Sequence, residues 1–485
     1  MRSYSSLVTC YLSPLFNSPT HKGEIKLADN NVVKVGDVVT IKLDNLASGG
    51  DVVGRKDGFA IFVPQGVPEE IVKVEIIEAR KSYAKGKIIE IVEESDKRVV
   101  PECEIANLCG GCQIAQIDYQ AQLNYKQKIV KDAIERIGRL KGIKINPVKG
   151  MDTPLFYRNK AQFPLGIRDN RVITGFYAPK THQIIEIEDC KIQHPLINRI
   201  IKETIELIEE YQLSIYDEKK HTGLLRHLVV RVGVCTNQAL LVIVTKDNKF
   251  PEGRDLAERL MEKIPELSGV QQNINSKKTN VVLGKITKTL SGTDYITDYI
   301  GEVKYKISPL SFFQVNTLQT KVLYDQVVEY AQLTGEEQVV DAYCGLGSIS
   351  LYLAAQAKQV YGIEVIEEAI EMAKKNAELN GIDNCDFSVG KVRDILPNLQ
   401  NKIRPDLIVV DPPRKGCHQD VLKEFANIKP DKIIYVSCNP ASLARDLKIM
   451  CQLGYEVVEI QPVDMFPQTY HVESVVLLRS ISDYN

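Results

Sequence analysis

Gln338-Val339-Val340-Asp341-Ala342-Tyr343-Cys344-Gly345-Leu346-Gly347-Ser348 decides the fold of the second half of this chain. An apolar run of strand length ends at Asp341, a glycine turn follows, and ISLYLAAQA continues in a helical pattern. A second strand-like run, QVYGIE, ends in Glu364, 23 residues after Asp341, and leads into the helical stretch VIEEAIEMAKKNAELNG. Strand, glycine turn, helix and strand in that order form the repeating unit of an open α/β sheet, which places its ligands at the carboxyl ends of its strands. A glycine turn there admits a nucleoside against the backbone, and a carboxylate at the tip of the second strand can hold both ribose hydroxyls.

A dinucleotide site wants G-x-G-x-x-G, and the third glycine position here is Ser350. Adenosyl-methionine, with no pyrophosphate to cradle, suits the D-x-x-C-G-x-G form better. Two later strands deliver chemistry to the same crevice. DLIVVDPPRKG ends in Asp411-Pro412-Pro413-Arg414, a loop held extended by its prolines. Enzymes that methylate exocyclic amines tend to carry an aromatic after such prolines, and RNA cytosine-5 enzymes tend to carry a Cys there, so Arg414 weakens both readings. KIIYVSCNPASLARDL, residues 432–447, runs from the strand Ile433 to Val436 through Cys438 into a helical pattern beginning at Ala441. Pro440 restricts Asn439 to extended geometry and leaves the Cys438 thiol at a strand's carboxyl end, where a nucleophile belongs. A free Cys on its own more often packs as a small hydrophobe. Glu473, which leads into the apolar strand VVLLRS, is expected to titrate above the reference value of ~4.3 and so to act as a better base; read blandly, it is an exposed edge carboxylate.

The 485 residues allow two to four domains, and a formal net charge of -2 excludes a protein that coats nucleic acid by bulk electrostatics. No apolar run reaches the ~20 residues of a membrane helix. Eleven cysteines scattered through a long chain do not read as a disulfide framework, and a reducing cytoplasm fits them better. Residues 1–31 are unassigned; their first 23 carry no acid and read as a tail or an over-extended start.

Residues 32–95 read as a small barrel, with VVTIKLDNL, GFAIFVP, EIVKVEIIEA and AKGKIIEIVEE as strands between glycine-rich turns. Nine basic against eleven acidic residues leave this module without net positive charge, although Arg80 to Lys87 gathers four cations around Tyr83. Cys103, Cys109 and Cys112 follow in a metal-like spacing, with Cys190 as the best placed fourth ligand; spacing alone does not separate zinc from a 4Fe-4S cluster. Gln113 to Leu140 is helical by period, with Lys, Gln and Glu on its polar face. YRNKAQFPLGIRDNR, residues 157–171, carries four basic residues against one acid and reads as a substrate-facing strand and loop. From there to about Tyr305 the pattern is α+β, with Arg226, His227 and Arg231 on one strand.

Taken together, these motifs resemble the RNA uracil-5 methyltransferases, adenosyl-methionine enzymes that make 5-methyluridine, and the resemblance covers nearly everything from residue 32. It implies a TRAM module, OB-like and RNA-binding, over 32–95; an α+β central iron-sulfur and RNA-contacting domain over 96–114 and 147–305; and a Rossmann-like class I methyltransferase domain over 115–146 and 306–485. The helix after Cys112 is thereby expected to pack with the catalytic domain. Cys103, Cys109, Cys112 and Cys190 match the cluster ligands of the 23S ribosomal branch, which favours a 4Fe-4S cluster, whereas the transfer-RNA branch typically lacks both barrel and cluster. Gln314 in FFQVN, Tyr343, Glu364 and Asp411 fall on the cofactor contacts, Cys438 on the nucleophile and Glu473 on the proton acceptor. Ser348 stands where some relatives have Asn. The resemblance implies a cytoplasmic, monomeric enzyme on ribosomal RNA. A transfer-RNA substrate is the alternative within enzymes, and a non-catalytic iron-sulfur RNA-binding protein the alternative outside them.

Overall fold

The structure, a computed structural model, describes residues 32–400 and 403–481, so the proposed tail, 1–31, lies outside the described residues. Strands Val38–Leu46, Val52–Lys56, Phe59–Val63, Ile71–Ala79 and Tyr83–Glu93 close into a five-stranded barrel. Val72, Val74 and Ile76 alternate into its core while Glu75 faces water, the period that one buried face demands. Val52–Lys56 is a strand the four expected runs omitted. Asp57 and Gly58, both at positive φ, make the two-residue turn that pairs it with Phe59–Val63.

The helix expected over Gln113 to Leu140 is shorter, Tyr119–Arg136. Asp118 accepts from the Ala121 N–H at 3.1 Å and starts it there, while Ile114 and Ile117 are drawn instead into the barrel core. Its polar face also differs from expectation. Gln122 and Lys126 are almost wholly buried, because they pair with a distant loop described below. The helix packs on Pro440–Gln452, and Lys144–Ile145 then joins the edge of the carboxyl-terminal sheet beside Tyr455–Val463.

The middle of the chain forms a seven-stranded sheet in the order Ile286–Gly292, Leu267–Ile274, Gln238–Thr245, Leu225–Gly233, Lys160–Arg168, Arg171–Tyr177, Ile184–Glu186. Helices Pro195–Glu210 and Gly253–Lys263 share its core. The carboxyl-terminal sheet has eight strands in the order Cys385–Val389, Gln359–Glu364, Gln338–Ala342, Leu407–Val410, Lys432–Ser437, Glu473–Ser480, Tyr455–Val463, Lys144–Ile145. Its first five strands are parallel, and Glu473–Ser480 runs antiparallel beside Lys432–Ser437. Apolar cores cover both faces, as a parallel sheet requires. Among the described residues no helix is long and apolar enough to cross a membrane.

Candidate active site

The parallel register sets Asp341 beside Gly362 and Val409, so the chain beyond Ala342, Glu364 and Val410 leaves the sheet at one common edge. The N–H groups of Tyr343 and Cys344 both donate to Ile363 O, at 2.9 and 3.1 Å, and Tyr343 sits at φ 72°, a strained value for a non-glycine residue. Gly345, at φ 56°, has open space where a Cβ would stand. Its N–H donates to Glu364 Oε2 at 3.3 Å, and the N–H groups of Val365 and Ile366 donate to Oε1 at 2.7 and 3.1 Å. The half-buried Glu364 carboxylate is thereby fixed beside an open backbone cradle. Asp341 is buried; its Oδ2 accepts from Ser350 Oγ at 2.6 Å, while Oδ1 has no partner among the described residues. Burial pushes this carboxyl up to about 6. An unmet buried acceptor, a glycine cradle and a fixed carboxylate fit a nucleoside's hydroxyls and amines.

Gln314 lies half-buried on a loop pinned by Asn159, whose Nδ2 donates to Gln314 O at 2.9 Å and whose N–H donates to Val315 O at 2.8 Å. The Ser348 hydroxyl shares a hydrogen bond with Tyr324 at 2.8 Å.

Ser437 faces Ser474 across the antiparallel pair, so the next position brings half-buried Cys438 alongside buried Glu473 at the same strand edge. Burial, then the charges of Glu473 and Asp411, push the Cys438 thiol up to about 12, and Arg414 opposes them. Glu473 is pushed up to about 8 by burial and by Asp411, again against Arg414. Asp411 rises to about 7 through burial and Asp341. Two neighbouring carboxyls with raised values keep a proton between them near neutral pH. The loop carrying Asp411 is tied to the loop carrying Cys438, since Asn439 Nδ2 and Ser442 Oγ both donate to Arg414 O, at 2.8 and 2.9 Å. Asn439 also caps helix Pro440–Gln452.

The loop from Asp464 to Val472 delivers Glu473. Lys126 Nζ donates to Asp464 Oδ1 at 2.6 Å and to Phe466 O at 3.1 Å, and Tyr119 donates to Asp464 Oδ2 at 3.1 Å. Gln122 exchanges two hydrogen bonds with Gln468, and Tyr157 donates to Pro467 O at 3.0 Å. Sequence reasoning missed His471 on this loop: it lies 3.5 Å from Arg414 Nη2, and burial with Arg414 pushes it down to about 4. A His two residues before a candidate base was the available signal.

Cys103, Cys109, Cys112 and Cys190 are free thiols. Burial pushes Cys112 up to about 12, with the other three thiols adding to the rise. Cys190 rises to about 11 through burial, which the backbone amides of Ile192 and Gln193 oppose. Cys112 and Cys190 pack in one apolar cluster with Tyr157 and Ile192, and Gly111 N–H donates to Cys109 Sγ at 3.3 Å. Among the described residues no group of three or more His, Cys, Asp or Glu side chains is arranged to hold a metal ion. Tyr83, at the centre of the basic stretch, packs edge-on against Phe62, and Arg80 pairs with Glu78. A cavity of about 720 Å³ at the outer strand Cys385–Val389 is lined by none of the candidate site residues.

The profile of the tRNA (uracil-5-)-methyltransferase family matches residues 118–481, and that of the TRAM domain matches 32–89. An uncharacterized RNA methyltransferase of Halalkalibacterium halodurans is 47% identical over 92% of this chain and 98% of its own length. Another, from Clostridium tetani, is 48% identical over 93% of this chain and 98% of its own. Among solved structures, the Pyrococcus abyssi tRNA (uracil-54, C5)-methyltransferase in complex with S-adenosyl-L-homocysteine superposes with a TM-score of 0.73 at 29% identity, over 91% of this chain and all of that one.

Proposed function

The chain belongs to the tRNA (uracil-5-)-methyltransferase family, and from that premise we propose that it forms 5-methyluridine in 23S ribosomal RNA through a covalent adduct between Cys438 and C6 of the target uracil. The observation that carries this reading is the neighbouring position of Cys438 and Glu473 at one sheet edge, with Asp411 and Arg414 acting on both. C5 of uracil is too electron-poor to take a methyl group directly. The Cys438 thiol gives up its proton to solvent and the thiolate adds to C6, the C5=C6 pair moves toward O4, and C5 becomes enolate-like and nucleophilic. Adenosyl-methionine, when bound by Gln314, Tyr343, Glu364 and Asp411, supplies an electrophilic methyl on a cationic sulfur. C5 takes that methyl as the S–CH3 bond breaks to leave a neutral thioether; Glu473 in its carboxylate form then takes the C5 proton, C5=C6 re-forms, and Cys438 leaves as the thiolate. A carboxyl pushed to about 8 by its burial is matched to that proton transfer near neutral pH.

The barrel and the 157–171 segment hold the RNA while the target base is splayed into the pocket. Cys103, Cys109, Cys112 and Cys190 would hold a 4Fe-4S cluster, which supplies a covalent tie between the 103–112 loop and the central sheet and takes no step in methyl transfer.

A transfer-RNA substrate is the second reading, favoured by the Pyrococcus abyssi enzyme's likeness over its whole length. Purified protein, given labelled cofactor and unmodified transcripts of each RNA class, separates the two by liquid chromatography of the digested products. Label in 5-methyluridine from 23S RNA supports the first reading, label only from transfer RNA supports the second, and no labelled 5-methyluridine overturns both.

A further inference from the structure

The proposed reaction leaves a second polar cavity unused. About 120 Å³ in volume, it opens in the central sheet between Tyr177, His182, Tyr216, Glu218, Arg226 and His227. These residues come from neighbouring strands and the loops beside them, since Leu225–Gly233, Lys160–Arg168, Arg171–Tyr177 and Ile184–Glu186 follow one another in the sheet. Tyr177 and the His182 ring stack with centroids 5.2 Å apart at 22°, and the Arg226 guanidinium lies over the Tyr216 ring at 4.5 Å. Leu165 and Ile184 add apolar lining. Flat aromatic faces with an apolar surround select a flat heteroaromatic ring.

The polar groups narrow the choice. Arg226 is 3% exposed, and its terminal nitrogens are held by the carbonyls of Asn275, Lys277 and Thr279, so the guanidinium is immobile. Its Nε is nevertheless buried without a partner, and so is Nδ1 of His227. Glu218 stands at the exposed mouth, bonded at 2.9 Å to His182 Nδ1. The cavity therefore offers an imidazole and a carboxylate acceptor at its mouth beside aromatic faces. An exocyclic amine on a base stacked there meets the carboxylate; uracil has no such amine. Tyr177 O also accepts from the Gly110 N–H at 3.2 Å, so the cavity wall and the cysteine loop brace one another.

We propose that this cavity captures a second, unpaired RNA base carrying an exocyclic amine, and so fixes the strand whose uridine enters the site of Cys438. The proposal rests on the RNA reading above, and its test has two arms that fail separately. In the first, saturation-transfer resonance measures the binding of guanosine, adenosine, cytidine and uridine monophosphates to the full chain saturated with S-adenosyl-homocysteine. Glu218→Gln and His182→Ala alter exposed side chains and leave the fold intact. The amine-bearing nucleotides should outbind uridine monophosphate, and each variant should weaken them by about tenfold, the loss of one stacking or charged contact. Equal binding of all four nucleotides, or unchanged binding in both variants, overturns the cavity's role whatever RNA is methylated.

In the second arm, the RNA that the wild type methylates should show a KM raised about tenfold in Glu218→Gln with kcat unchanged. An unchanged KM overturns the proposal. A wild type that methylates no RNA sinks the function proposed above, and the nucleotide arm still decides the cavity.

Discussion

Replacing Lys126 with Met should destabilise the catalytic domain and loosen the loop that delivers Glu473. The Lys126 and Asp464 side chains are both fully buried, with Nζ and Oδ1 2.6 Å apart. Burial lowers the Lys126 pKa and the Asp464 charge opposes this, so each ion is tolerated only through the other. Lys126→Met leaves the Asp464 carboxylate with the Tyr119 hydroxyl and the Phe466 N–H, at 3.1 and 3.2 Å, and no counter-charge. Breaking a buried pair in this way costs about 3–5 kcal/mol. Adding Asp464→Asn removes the stranded charge; its amide oxygen can accept from the Phe466 N–H while its NH2 donates to the Tyr119 hydroxyl oxygen, so the double variant should recover about 2 kcal/mol or more. Urea unfolding followed by far-ultraviolet circular dichroism measures the stabilities, the chain having no Trp. Hydrogen exchange should show Asp464 to Val472 losing protection in the single variant alone. A single variant within about 1 kcal/mol of wild type, or a double variant no more stable than the single, would refute the argument.

Glu364→Ala should weaken adenosyl-methionine binding by about 1.5–3 kcal/mol, the worth of hydrogen bonds to a charged group, and unchanged affinity in calorimetry would move the cofactor elsewhere. Protein purified without oxygen should be brown with about four irons, which Cys109→Ser should lose; stoichiometric zinc without iron would sink the cluster. Glu473 retains its proton up to about 8 in the folded chain and releases it near ~4.3 when unfolded. Its contribution to stability is therefore full below ~4.3 and lost as pH rises toward about 8. Glu473→Gln escapes that loss and should gain at least about 2 kcal/mol on wild type between about pH 5 and pH 8, whereas a pH-independent difference in unfolding free energy would contradict the buried carboxyl.

The sheet and its glycine turn were legible because they are local. Asp341, the glycines and Glu364 lie within 24 residues, and strand ends converge in any parallel sheet. The neighbouring position of Cys438 and Glu473 was not legible from spacing, since it depends on the antiparallel register that pairs Ser437 with Ser474. It was reached by family resemblance. Lys126 misled in the same way: a Lys on a periodic helix reads as solvated, and its partner Asp464 is 338 residues away. The start of that helix was set by the Asp118 cap, which the apolar period over Gln113 to Leu140 overran. Ser350 was read as a missing glycine, and its hydroxyl instead holds the buried Asp341. The second cavity escaped notice because its members are spread from Leu165 to His227 and share no motif.

Covalent catalysis by Cys438 and Glu473 is tested most directly by denaturing electrophoresis of two variants incubated with substrate RNA and methyl-tritiated cofactor. Cys438 acts before methyl transfer and Glu473 after it. Glu473→Gln should accumulate a protein-RNA adduct that carries tritium, because the methylated C5 keeps its proton and the Cys438 bond to C6 cannot release. Cys438→Ala should bind RNA yet give neither adduct nor product. Tritiated 5-methyluridine from Cys438→Ala, or no adduct from either variant, would contradict the account.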